Sequence, residues 1–204
     1  MTTMYLKTRP QAAPLRCSVI ALALMNLCPW HAFAQDGHSH PATDPELEAA
    51  VNSGAATLIK TVRDATEKFK DVKIAEAQGY ALQFGCVSSD DTGAMGLHYV
   101  NSDLVNSGVL DPTRPQIVIY EPMPGGGQRL IGADFLVLAA TWDATHKDPP
   151  QLMGQLFHLF PSPNRFGLPA FYTLHVWAWK QNPKGAFVNW HPNVSCQSFN
   201  GQQQ

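Results

Sequence analysis

Residues 171–180, FYTLHVWAWK, limit the possible folds of this chain more than any other stretch. Aromatic and β-branched side chains alternate here with a period of two, which is typical of a strand in a half-buried sheet. One face of the predicted strand carries Thr173, His175, Trp177 and Trp179. A histidine and two indoles on one face predict either an edge of the core or the wall of a pocket.

The first 34 residues have the composition of a secretory signal peptide. Basic residues precede an apolar run at residues 17–27, which is too short to span a bilayer. Ala32 and Ala34 supply the small side chains of a cleavage site. We therefore predict cleavage between Ala34 and Gln35, and a periplasmic or secreted location for the mature protein.

The chain after cleavage is predicted to be a single globular domain, residues 43–204, that follows a flexible tail at residues 35–42. The tail contains His38 and His40, whose spacing allows loose metal chelation, although a solvated tail is the simpler interpretation. No later segment has the roughly 18 uninterrupted apolar residues of a membrane helix, so no membrane span is expected.

The charge of the mature chain argues against nucleic acid as a partner. The leader contains three of the 14 basic residues and none of the 16 acidic ones, so residues 35–204 carry a net charge of about −5. A mildly acidic domain offers no basic surface to phosphates or anionic lipids. Cys-x-x-Cys, Gly-x-Ser-x-Gly and P-loop motifs are also missing from the sequence. We expect a small molecule or a metal ion as the partner.

Two cysteines remain after cleavage, Cys86 and Cys196. An even number of cysteines in an oxidising compartment favours a disulfide, which would close a loop of about 110 residues. Two buried thiols or a cysteine-containing metal site are the alternatives.

The order of the predicted elements indicates an α+β fold. Apolar residues recur every three or four positions from Leu47 to Val72, which predicts a long N-terminal amphipathic helix. Strand-like segments follow at residues 80–87, 95–100, 116–121, 129–139 and 171–180. Short turns join most of them, so we predict a mostly antiparallel sheet or partly open barrel with the helix packed against it.

Four polar side chains interrupt these apolar segments: His98, Glu121, Asp134 and His175. Asp134 is the most informative, because an unpaired buried carboxylate is unstable and must have a partner. Two imidazoles and a carboxylate form many mononuclear metal sites, and Zn, Cu, Fe or Mn would suit them. We predict a metal site with His98 and His175 as ligands and Asp134 or Glu121 as the oxygen donor. The alternatives are a His–Asp proton-transfer pair and a core polar pair without a ligand.

Residues 151–160, QLMGQLFHLF, carry no charge and lie between prolines. We predict a helical turn here and interpret the segment either as a lid over an apolar pocket or as a buried connector. The side chains predicted to line this pocket are Trp177, Trp179, Phe157 and His158.

Three segments resemble a group of uncharacterised exported bacterial proteins: MGLHYVN at residues 95–101, VIYEP at 118–122 and LHVWAWKQNP at 174–183. The resemblance covers much of residues 71–196. It implies export and a single domain, and it implies no particular chemistry.

The sequence therefore predicts an exported binding protein with a buried metal or small-ligand site. The first alternative is a metal-dependent enzyme that acts on a small apolar or aromatic compound with the same residues. The second alternative is an envelope interaction protein with no small-molecule site, in which the buried polar residues are structural.

Overall fold

The computed structural model describes residues 45–204. The predicted signal peptide and the predicted tail at residues 35–42 lie outside the described residues. Helices occupy the beginning of the described chain and an antiparallel sheet occupies most of the rest, so the predicted α+β class is confirmed. No helix within residues 45–204 combines the length and the hydropathy needed to cross a bilayer.

The helical part consists of three consecutive pieces. Helix α1 spans Pro45–Thr66 and continues into a 3-10 turn at Glu67–Lys70. Helix α2 spans Val72–Ala77, and the Asp71 carboxylate caps its N-terminus by accepting a backbone N–H hydrogen bond. The chain leaves α2 through Gly79, whose φ of 88° is a conformation that favours glycine.

Six strands form one antiparallel sheet that curls into a half-barrel. They are β1 (Tyr80–Ser89), β2 (Gly93–Asn101), β3 (Ile117–Pro122), β4 (Gln128–Leu138), β7 (His158–Phe160) and β8 (Phe171–Val176). Their spatial order is β1-β2-β3-β4-β8-β7. Two short helices, α3 (Ser102–Ser107) and α4 (Ala139–Asp143), follow β2 and β4.

The segment at residues 151–160 is not helical, so the predicted helical turn is wrong. Strands β5 (Gln151–Leu152) and β6 (Gln155–Leu156) form a small hairpin, and β7 pairs with β8. Met153 and Gly154 both have positive φ in the turn between β5 and β6, which is incompatible with a right-handed helix. The partner that makes β7 a strand comes later in the chain, so no local pattern indicates it.

The two faces of the sheet have different neighbours. On one face, Phe135 of β4 and Leu174 of β8 belong to the same buried cluster as Leu58 and Val62 of α1. Side chains alternate along a strand, so the residues next to Phe135 and Leu174 point to the opposite face. That opposite face carries the predicted site residues of β4 and β8.

The predicted disulfide joins Cys86 of β1 to Cys196, 110 positions later in the sequence. The backbone of Gln202 and Gln204 also forms hydrogen bonds with Cys86, so this segment covers the edge of β1. A Cβ atom on Gly85 would lie 1.9 Å from the Gln202 carbonyl oxygen. Only glycine therefore permits this close approach.

Candidate metal centre

Strand pairing places Asp134 directly opposite His175. The β4–β8 register pairs these two residues, and the β3–β4 register pairs Asp134 with Ile117. Paired residues on adjacent strands point to the same face of the sheet. Asp134 Oδ1 accordingly lies 3.6 Å from His175 Nδ1, and both side chains are almost completely buried.

His98 reaches the same place from β2. Its imidazole ring meets the ring of His175 edge to face, with the centroids 5.7 Å apart. One potential ligand atom from each of His98, Asp134 and His175 lies within 4.8 Å of the other two. We call these three residues the ligand triad. Two nitrogen donors and one oxygen donor this close together could hold a metal ion.

A backbone hydrogen bond orients the ring of His98. Its Nδ1 atom lies 3.1 Å from the carbonyl oxygen of Gly96, two residues earlier on β2. A carbonyl oxygen only accepts hydrogen bonds, so Nδ1 carries the proton and Nε2 keeps its lone pair. Histidine ligands of metals usually donate their other N–H in this way, which leaves Nε2 of His98 as the potential ligand atom.

The hydroxyl group of Thr173 donates a hydrogen bond of 2.6 Å to Asp134 Oδ1. Thr173 precedes His175 by two positions, so both residues point to the same face of β8. This hydrogen bond fixes the carboxylate in the otherwise apolar interior.

His175 is buried without adequate polar partners. Neither of its ring nitrogens forms a hydrogen bond with any residue in the range 45–204, and the same holds for the side-chain oxygen of Asn189. Asn189 is nevertheless close enough to the ring to raise the pKa of His175 against the effect of burial. Buried polar atoms without partners are unfavourable. A metal ion at one ring nitrogen, with the N–H of the other directed at Asn189, would satisfy all three atoms.

Burial controls the ionisation of the triad. It lowers the pKa of His98 to about 4 and the pKa of His175 to about 3. Burial also raises the pKa of Asp134 to about 6, although the hydrogen bond from Thr173 opposes this shift. At neutral pH the two imidazoles are therefore uncharged and Asp134 is mostly ionised, which is the state that binds a metal cation.

A small cavity of about 30 Å³ borders the triad. Its polar end is formed by the triad and Thr173, and the remaining wall is aromatic or aliphatic, including Phe84, Phe160, Phe166, Phe171 and Leu136. A volume of this size holds one or two water-sized molecules. Anything that occupies it beside the triad would have mainly apolar surroundings.

Glu121 is not a member of the triad. Its carboxylate lies 2.5 Å from a guanidinium nitrogen of Arg129 and 2.7 Å from the ammonium group of Lys180. Burial acts to raise the pKa of Glu121, but the hydrogen bonds from Lys180 and Arg129 outweigh it and the pKa is lowered. Of the two predicted oxygen donors, the structure therefore brings only Asp134 to the histidines.

None of the four residues predicted to line a pocket forms the wall of the cavity at the triad. Trp177 lies beside the triad, with its ring centroid 5.9 Å from that of His175. Trp179 donates a hydrogen bond to a threonine of α1, and Phe157 belongs to the cluster on the α1 side of the sheet. His158 is exposed on β7, where its charge lowers the pKa of His175.

Several residues of the site were absent from the sequence-based prediction. Phe171 and Thr173 alternate with His175 along β8, so the period of two could have identified them. Phe84 lies at an irregularity in β1, and Phe166 and Asn189 lie outside the strands. No local pattern distinguishes these three residues from ordinary core or loop residues.

The chain matches no known family model, and no curated protein or solved structure shows significant similarity to it. The resemblance to exported bacterial proteins stays a prediction. No relative therefore supplies an activity, and the chemistry of the site has to follow from its own geometry.

Proposed function

We propose that this protein binds one transition-metal ion at the ligand triad. The observation that carries the proposal is the convergence of three buried ligand atoms within 4.8 Å of one another. Two further observations support the proposal. The hydrogen bond to Gly96 already orients the ring of His98 for a metal ion, and an ion would give the ring nitrogens of His175 the partner that they lack. The three ligands come from β2, β4 and β8 of one hydrogen-bonded sheet, which makes the site rigid.

The donor set favours a transition metal over the alkaline-earth ions. Imidazole nitrogen suits Zn, Cu and Fe, and a carboxylate oxygen also suits Mn. Calcium and magnesium prefer a shell made of oxygen ligands, which two histidines do not provide. The triad contains no cysteine, so we do not propose a thiolate-rich zinc site.

We further propose that the protein acts in the periplasm or outside the cell. The signal-like sequence at residues 1–34 supports export, and the disulfide between Cys86 and Cys196 suits an oxidising compartment. The net charge of the mature chain gives no reason to propose a nucleic-acid partner.

A metal-dependent enzyme is the second candidate. The observation that favours it is the cavity beside the triad, because three protein ligands leave coordination positions open and a reactant needs space next to them. Azide binding to the cobalt-substituted protein tests this candidate. A change in the visible spectrum on addition of azide indicates an open position, whereas an unchanged spectrum argues for a closed binding site.

Metal analysis of the mature chain, purified without a chelating tag and reconstituted separately with Zn, Cu, Fe and Mn, tests the main proposal. We expect about one tightly bound ion per chain for at least one metal. His98→Ala and His175→Ala should each lose it while circular dichroism shows a retained fold. Two matched controls should keep it: His146→Ala, which removes an exposed histidine, and a variant with both His38→Ala and His40→Ala.

The outcome is decisive in either direction. A folded wild-type protein that takes up none of the four metals contradicts the metal site and leaves a small-ligand binding protein and the envelope interaction protein as the remaining candidates. Metal that disappears only in the variant lacking His38 and His40 would locate binding in the tail, which also contradicts the proposal.

A further inference from the structure

A second and much larger cavity, of about 270 Å³, lies next to the cavity at the triad. Four side chains line both cavities: Phe84, Ile117, Leu136 and Leu168. The two spaces are therefore neighbours that share a wall of four apolar side chains. We call the larger one the outer cavity.

The lining of the outer cavity is uncharged. Val100, Val105 and Leu138 extend its apolar surface beyond the shared wall. Gln83, Ser102 and Asn106 also line it, and all three are exposed and neutral. An apolar chamber with a few neutral hydrogen-bonding groups at its solvent side suits an uncharged, mainly apolar ligand. A ligand with a formal charge would lose its hydration without gaining an ionic partner.

Phe84 has a strained backbone at the boundary between the two cavities. Its φ is 64°, which is rare for a bulky residue, and it lies where the pairing of β1 with β2 shifts register. The neighbouring close approach of Gln202 to Gly85 holds this part of β1 in place. Strain of this kind persists only where the surroundings impose it, and it is common at ligand-binding sites. Here it puts the Phe84 ring against Phe166, with the centroids 5.4 Å apart.

We propose that the outer cavity binds the apolar body of a small uncharged organic ligand, and that one end of this ligand reaches the metal past Phe84. The part of this inference that concerns contact between the ligand and the metal rests on the proposed function. The sizes of the two cavities support this placement of the ligand. The cavity at the triad admits only one or two small atoms, whereas the outer cavity has room for a ring system. The ligand would thus be a monocyclic or bicyclic apolar molecule with one small coordinating group, such as a hydroxyl or carbonyl.

Binding of N-phenyl-1-naphthylamine, a neutral dye that fluoresces in apolar surroundings, tests the outer cavity. We expect saturable binding to the wild-type protein and weaker binding of the sulfonated analogue 8-anilino-1-naphthalenesulfonate, since the lining has no cation to pair with it. Leu138→Trp and Asn106→Trp should each weaken binding of the neutral dye by about tenfold or more. Asn106 is exposed, so its variant should fold even if the Leu138 variant does not. Val109→Trp, at an exposed position that does not line the cavity, is the matched control.

The link to the metal is measured on the same samples. The fluorescence of the bound dye should be quenched in the copper-loaded protein and not in the zinc-loaded protein, because Cu²⁺ quenches nearby fluorophores and Zn²⁺ does not. The tryptophan variants should keep their metal, since they leave the triad intact.

Three results would overturn the inference or part of it. No dye binding to wild type, or equal binding to all three tryptophan variants, rules out the outer cavity as a binding site. Dye that binds but is not quenched by copper rules out access to the metal. Dye binding by a protein that takes up no metal contradicts the proposed function while it supports the cavity as a ligand site, so the two failures are distinguishable.

Discussion

The imidazole rings of His98 and His175 meet edge to face with their centroids 5.7 Å apart, although 76 residues separate them in the sequence. Two buried histidines at this distance would repel each other if both were protonated, and burial already disfavours the charged form of each. The arrangement therefore favours the state in which both rings are neutral. A neutral pair beside an ionised carboxylate is the protonation state that a metal cation requires.

Replacement of the triad carboxylate should separate stability from metal binding. Because the pKa of Asp134 is raised to about 6, its ionised form destabilises the metal-free fold above that pH. Asp134→Asn keeps the shape and the hydrogen bond from Thr173 but removes the charge. We expect the metal-free variant to be more stable than the wild type by about 1–3 kcal/mol at pH 7.5 in urea denaturation, and to bind metal at least tenfold more weakly.

The opposite result identifies Asp134 as a structural residue. If the metal-free Asp134→Asn variant unfolds at lower urea concentration than the wild type, the carboxylate stabilises the core in its charged form. Thr173→Val is a suitable companion, because it removes the hydrogen bond and should raise the pKa of Asp134 further.

Acidification should destabilise the metal-free protein. His98 and His175 have lowered pKa values when folded, so between about pH 6.5 and pH 4 the unfolded chain binds two protons that the folded chain does not. Asp134 acts in the opposite direction below about pH 6, where the folded state binds one proton more. One net proton remains from these three groups, and burial also lowers the pKa of His191, which acts in the same direction as the other two histidines. The free energy of unfolding should therefore fall by at least about 1.4 kcal/mol per pH unit from pH 6 to pH 4.5.

Urea denaturation at several pH values measures this slope directly. His146→Ala is the matched control, since it removes an exposed histidine and leaves the buried imidazoles intact. A slope near zero in the wild type would mean that the buried imidazoles do not titrate as described.

The hydrogen bond from His98 to Gly96 makes a prediction about tautomers. We expect the ring of His98 in the metal-free protein to be neutral at pH 6, with its proton on Nδ1 and none on Nε2. Nitrogen-15 chemical shifts of the ring in histidine-labelled protein distinguish the two nitrogens. On addition of Zn²⁺ the Nε2 signal should move much more than the Nδ1 signal, and a proton found on Nε2 would exclude this nitrogen as the ligand atom.

Glu121→Gln should reduce stability without affecting the metal. The substitution removes the charge that Arg129 and Lys180 both contact, and the loss of charge-assisted hydrogen bonds to a nearly buried carboxylate is worth about 1–3 kcal/mol. Metal content measured on the same preparation should equal that of the wild type. A Glu121→Gln protein that folds normally and has lost its ion would show that Glu121 is an oxygen donor after all.

Removal of the disulfide should cost more than any single change at the site. Cys86 and Cys196 close a loop of 110 residues, for which the loop-entropy model gives about 4–5 kcal/mol. We therefore expect the variant with both Cys86→Ala and Cys196→Ala to unfold at a much lower urea concentration, with a steeper dependence on urea because the denatured chain without the bridge exposes more surface. A loss below about 1 kcal/mol would mean that the hydrogen bonds of Gln202 and Gln204 hold the segment in place without the bridge.

Much of the sheet could be predicted from the sequence because its strands alternate. The predicted segments at residues 80–87, 95–100, 116–121 and 129–139 each overlap an observed strand, since apolar and β-branched residues at a period of two have few other stable conformations. The triad residues could be identified by the same reasoning, because a lone polar side chain in an apolar strand needs a partner.

What the sequence could not supply was the register between distant strands. Asp134 and Glu121 have similar local surroundings in the sequence, and only pairing decides that Asp134 lies opposite His175 whereas Glu121 lies opposite Arg129. The short hairpin between β3 and β4 could have indicated the second pair, but nothing local indicates the first. The same limit explains the missed contribution of Phe84, whose position depends on an irregular pairing.

The separation of β2, β4 and β8 along the chain determines when an ion can enter. An unfolded polypeptide holds His98, Asp134 and His175 too far apart to chelate anything, so the cation would be acquired only after these strands have paired. If the chain is exported before it folds, the metal it carries is selected by the supply outside the cytoplasm and not by the concentrations within it.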